Sequence, residues 1–73
     1  MSFDYRKLRG KIREFGTQAE VAEKIGISPT SFSKKINEES DFSNSEIVAI
    51  CEILSIPANE IPNYFFTELV KQP

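Results

Sequence analysis

IGISPTSFSKKIN, residues 25–37, sets a glycine, a serine and a proline ahead of a short amphipathic run. Gly26 can end a preceding helix, because it accepts the positive φ that other residues resist. Ser28 is an N-cap residue, and Pro29 falls at the first helical position, where a missing N–H is lost without penalty. Phe32 and Ile36 stand one turn apart and predict a buried face. The opposite face then carries Thr30, Lys34 and Asn37, with Ser31 and Ser33 on its flanks.

Working outward, the flanking segments are also helical in period. Upstream, Thr17 and Glu20 have the spacing of a capping box, and QAEVAEKI buries Val21, Ala22 and Ile25. Further upstream, Tyr5, Leu8, Ile12 and Phe15 form one apolar stripe, interrupted by Gly10 and ended by Gly16. Downstream, NEESDFSN (37–44) reads as a polar loop. Ser43 and Glu46 make a second capping box, opening a helix that buries Ile47, Ile50, Cys51 and Leu54. Pro57 predicts a short fifth helix around PANEI (57–61), followed by an apolar C-terminal stretch over 61–73. No segment has a convincing strand pattern. YFF (64–66) could extend, but a lone strand has nothing to pair with. The chain of 73 residues has room for one domain, and the expected fold is all-α with four or five short helices.

TQAEVAEKIGISPTSFS (17–33) resembles the helix-turn-helix of the Cro/CI, or XRE-type, family of phage and bacterial repressors. Ala22, Gly26, Ile27 and Phe32 stand at that motif's small, glycine, turn-plug and locking positions. A narrower resemblance runs along FDYRKLRGKIREFGTQAEVAEKIGIS, SFSKKIN, SEI and IPNYFF. These stretches are similar to small Cro-like proteins of temperate phages of Gram-positive bacteria, including modulators of repression that oppose the phage CI repressor. The resemblance implies a lambda-repressor-like domain with its helix-turn-helix over about 17–37, controlling the choice between lysis and lysogeny.

By that resemblance the third helix enters the major groove of operator DNA, where Thr30, Ser31, Ser33 and Lys34 are the candidate base contacts. Hydroxyls can bond base edges, the Thr30 methyl can touch a thymine methyl, and Lys34 can donate to guanine. Arg and Gln, the commonest bidentate readers, are absent from this set. Modest specificity per half-site is therefore expected, which favours a homodimer or a partner. Gln18 matches the family glutamine that clamps a phosphate. Ser28, Lys35, Asn37 and the first-helix residues Arg6, Arg9 and Arg13 are the other candidate backbone contacts. Two departures stand out. Lys35 occupies a position that is usually apolar, so its stem is expected along the core edge with its ammonium in water. Glu38 and Glu39 follow Asn37 where many members of that family carry Asn-Gly.

The formal net charge is −2, but the charges segregate. Residues 1–37 hold eight Lys and Arg against four carboxylates, and residues 38–73 hold one Lys against seven. A polyanion responds to the local field, screened beyond roughly 10 Å at moderate salt, so the acidic average does not exclude DNA. The acidic half offers a competing reading as a protein-binding module. Glu38, Glu39 and Asp41, with the apolar cluster of Ile61, Tyr64, Phe65, Phe66, Leu69 and Val70, form the candidate interface. The basic DNA-binding face of a CI-type repressor is its natural partner.

An enzyme is not expected. Histidine is absent, the single cysteine has no base beside it, and Gly10, Gly16 and Gly26 are too widely spaced for a phosphate loop. No metal-ligand spacing, cofactor motif or small-molecule substrate signature appears. The first ten residues lack the apolar core of a signal peptide, and no run approaches the length needed to span a bilayer, so a cytoplasmic location is expected.

Overall fold

Three capping serines and threonines start three of the helices. In the computed structural model, which describes residues 3–68, the Thr17 side chain accepts the Glu20 N–H while the Glu20 carboxylate accepts the Thr17 N–H. Ser43 and Glu46 repeat this arrangement, and Ser28 accepts the Ser31 N–H ahead of Pro29. The elements are α1 (Arg6–Phe15), α2 (Gln18–Ile25), α3 (Pro29–Ile36), α4 (Asn44–Leu54), a 3-10 turn (Ala58–Glu60) and α5 (Ile61–Phe65). The fold is all-α. Extended pairing among the described residues is limited to a single antiparallel bridge between Phe3 and Glu68, beside a bond from the Asp4 N–H to the Thr67 carbonyl.

The ends of α2, α3 and α4 share a left-handed residue just past the helix. Gly26 has φ 84°. Its N–H reaches the Glu23 carbonyl at 3.2 Å, and the Ile27 N–H reaches Ala22 at 3.0 Å, which is a Schellman motif. The end of α3 is built the same way, with Glu38 at φ 64° and the Glu39 N–H bonded to the Lys34 carbonyl at 2.8 Å. At the end of α4, Ser55 takes the left-handed position at φ 56°, and the Ile56 N–H bonds Cys51. Glu38 thus stands where a glycine would be at ease, which gives the Asn-Gly departure a structural meaning.

Leu8, Ile12, Val21, Ala22, Phe32, Ile36, Ile47, Ile50, Cys51 and Leu54 form the core, joined by Ile56, Tyr64 and Phe65. α1 packs on α2, α4 and α5, and α2 packs on α3 and α4. Three expectations are corrected. The fifth α-helix lies beyond PANEI, over Ile61–Phe65, because Pro57 opens only a 3-10 turn and Pro62 is tolerated in the first turn of the helix that follows. Phe15 is 39% exposed, since it ends α1 just before Gly16 redirects the chain. Phe42, assigned to a polar loop, is partly buried and meets Tyr5, Phe32 and Phe65 edge-on, with centroids 5.7–5.8 Å apart.

Gly10 lies inside α1, and a Cβ built on it meets nothing within 4 Å. Gly10→Ala is expected to stabilise the protein by about 1 kcal/mol, from helix propensity alone. A thermal melt should shift upward by roughly 4–8 °C; a downward shift would mean that α1 needs the glycine for something other than its backbone.

Candidate nucleic-acid interface

The buried side of α3 sets its exposed side. Phe32 is 0% and Ile36 2% exposed, so Thr30, Ser33 and Lys34 project outward. Lys34 is in no ion pair among the described residues. The Ser31 hydroxyl is tied to the cap, accepting from Ser28 at 3.0 Å. Ser33 Oγ accepts from Asn37 Nδ2 at 3.4 Å, leaving the Ser33 hydroxyl hydrogen free to turn outward.

The expected backbone contacts divide. Gln18 is half-buried at the first position of α2, and Arg13 is exposed without an ion pair among the described residues. Arg9 is turned onto the end of α3. Its guanidinium donates to the Ile36 carbonyl at 3.1 Å and to Asn37 Oδ1 at 2.7 Å. It completes the C-terminal capping of that helix with a positive charge at the negative end of the dipole. Arg6 donates through Nε and a terminal nitrogen to Asp4, the shortest contact being 2.7 Å. The Arg6 hydrogen bonds hold the Asp4 carboxyl at about 2, below its ordinary value. Lys35 departs from expectation most. Its ammonium is bonded, not solvated, with the Glu46 carboxylate at 3.1 Å and the Asp41 carbonyl at 2.9 Å, and both charged side chains are only 17% exposed. Burial alone would raise the Glu46 carboxyl, but the Ser43 N–H and the Lys35 ammonium outweigh it and hold it below its usual range. Lys35 therefore fastens α3 to the start of α4. Lys7 is likewise engaged, lying over the Tyr64 ring at 4.7 Å and near Glu60.

Two of the three rings of the candidate apolar interface belong to the core. Tyr64 and Phe65 are buried, leaving Phe66, 50% exposed, as the accessible ring of the three. They are buried because α5 lays them against α1 and Phe42. Leu69 and Val70 lie outside the described residues. Glu38 and Glu39 are exposed, and Glu38 accepts the Phe3 N–H. Neither Arg9 nor Lys35 announced its role in the sequence. Their partners Asn37 and Asp41 lie in the loop that periodicity leaves unassigned, although the unusual charge at position 35 was a usable signal.

No group of His, Cys, Asp and Glu among the described residues has the arrangement of a metal site. No helix among them is long and apolar enough to cross a membrane. A search of curated proteins returns no match. The family model described as "Protein of unknown function (DUF739)" matches residues 1–68, nearly the whole chain, and the protein belongs to that family.

Proposed function

We propose that the protein is a small, non-enzymatic transcriptional regulator that binds operator DNA through α3 in the cytoplasm of a bacterial host, in the manner of a Cro-like phage repressor. The observation that carries this reading is the outer face of α3. Thr30, Ser33 and Lys34 are exposed on a helix held rigidly from beneath by Phe32 and Ile36 and at its end by Arg9 and Lys35. Small hydroxyls and one ammonium on such a face suit the edges of bases in a major groove. The resemblance of residues 17–33 to the XRE-type motif supplies the rest of the argument.

Internal engagement of Arg6, Lys7, Arg9 and Lys35 leaves Lys11, Arg13, Lys24 and Lys34 as the cations with no ion pair or side-chain hydrogen bond among the described residues. The described residues would then neutralise at most about four phosphates per protomer, and their share of the slope of log K against log salt should be no steeper than about −4 per protomer. Electrophoretic shifts on duplexes selected from a random pool, run across a salt series, test this. Replacing both Thr30 and Lys34 by alanine should weaken the selected complex at least 30-fold, an estimate of roughly 1–3 kcal/mol per lost contact, without changing the melting temperature. A double variant that shifts DNA like the parent would remove α3 from the interface.

A second reading is favoured by Glu39 and Asp41, exposed beside the end of α3 and in no ion pair among the described residues. On it the protein acts as an antirepressor that captures a CI-type repressor by its basic face. Repeating the shifts with the cognate repressor present separates the two. The antirepressor produces no complex alone and removes or alters the repressor's band.

A further inference from the structure

A cleft of about 230 Å³ opens between the N-terminal segment, the α3–α4 loop and α5. Phe3, Tyr5, Phe42, Phe65 and Phe66 line it, and Asp41 stands at its margin. The rings form a connected set, with Phe3 edge-on to Phe66 at 5.9 Å, Tyr5 to Phe42 at 5.7 Å and Phe42 to Phe65 at 5.7 Å. Phe3 and Tyr5 also line an adjoining depression, shared with Glu38, Asp4, Arg6 and Arg9. Arg6 is held by Asp4, Arg9 by Ile36 and Asn37, and the Lys35 ammonium by the Asp41 carbonyl and the Glu46 carboxylate, so neither the Asp41 nor the Glu38 carboxylate is in an ion pair among the described residues. The Tyr5 hydroxyl registers this field: burial first, then the charges of Glu38 and Asp41, push it above its ordinary value.

We propose that this cleft receives a lysine or arginine side chain from a basic protein partner, its stem against the phenyl rings and its charge between Asp41 and Glu38. The rings supply both apolar cover for a methylene chain and the negative faces that attract a cation. A neutral apolar side chain would leave the rim charges unmet, and a nucleic acid would be repelled by them. The proposal deepens the antirepressor reading and rests on it only for the source of the cation.

The test is a two-dimensional NMR titration of the full chain with a blocked tri-arginine peptide and with its tri-citrulline counterpart. Saturable shifts at the rings of Phe3, Tyr5, Phe42 and Phe66 are expected with the cationic peptide alone. The Asp41→Asn, Glu38→Gln double variant keeps an acceptor for the Phe3 N–H and should bind about fivefold more weakly, as loss of two partly screened charges implies. Should its free ring shifts differ from the parent's, Phe66→Ser replaces it, with the same weakening expected. Equal response to citrulline, shifts centred on Glu52 or Glu60, or undiminished binding by the variants would overturn the proposal. So would contacts from the Leu69 and Val70 methyls to these rings in the free chain, because the tail would then be the occupant. A CI-type repressor that fails to bind, while the cationic peptide binds the cleft, removes the antirepressor reading and leaves the site standing.

Discussion

Phe32→Ala is expected to remove most of the protein's stability, bringing its thermal transition down towards 25 °C and weakening its helical circular dichroism there. Phe32 is fully buried between α2 and the loop that carries Phe42, whose ring it meets at 5.8 Å. Truncating a buried phenylalanine costs about 3–5 kcal/mol, from lost transfer energy and from the cavity left behind. A domain of 73 residues buries a modest share of its surface and sits near the lower end of ordinary stability, about 5 kcal/mol. The difference is about 0–2 kcal/mol, so one substitution leaves the fold marginal. Phe32→Leu keeps most of the volume and should remain folded with a lowered melting temperature. An alanine variant that melts cooperatively near the parent's temperature would show that α3 is held by something other than this ring.

Gly26→Val should cost about 2–3 kcal/mol, through the backbone alone. An added Cβ at Gly26 meets nothing within 4 Å, so crowding contributes little. The cost comes from φ 84°, a left-handed conformation that an L-residue enters at about 1–2 kcal/mol and a β-branched one at more. Gly26→Asn should recover most of the loss, because asparagine tolerates this region. Urea titrations of the three proteins measure the order directly. If valine and asparagine are equally damaging, the explanation from backbone conformation fails. The substitution also bears on function, since the Schellman motif at Gly26 sets the turn from which α3 departs.

Much of this architecture was legible because it is local. Thr17 with Glu20, Ser28 with Pro29 and Ser43 with Glu46 act on neighbours within three residues, and each works as its spacing implies. The buried faces of α3 and α4 follow from helical period, since a residue's facing depends only on its place in the turn. What lies beyond one element was not legible. Period places Arg9 and Lys35 on a helix but cannot say that a long cationic side chain bends back to Asn37 or Glu46. Glu38 and Ser55 take left-handed conformations usually given to glycine, so composition offers no sign of the helix ends they form. Phe42 sits in a polar-looking loop, and only the meeting of α1, α3 and α5 makes that position a core one. The exposed face of α3 was therefore predictable in outline, while the number of cations left outside internal contacts was not.

The hydrogen bond from Asp4 to Thr67, beside the Phe3–Glu68 bridge, ties the first of the described residues to the last. Such a clasp closes a loop that spans nearly all the described residues, so it gains little from local assembly and yields early when the molecule breathes. Phe3 and Phe66 are its jaws as well as walls of the aromatic cleft. Anything seated there would hold the clasp shut, coupling occupancy of that surface to this local opening.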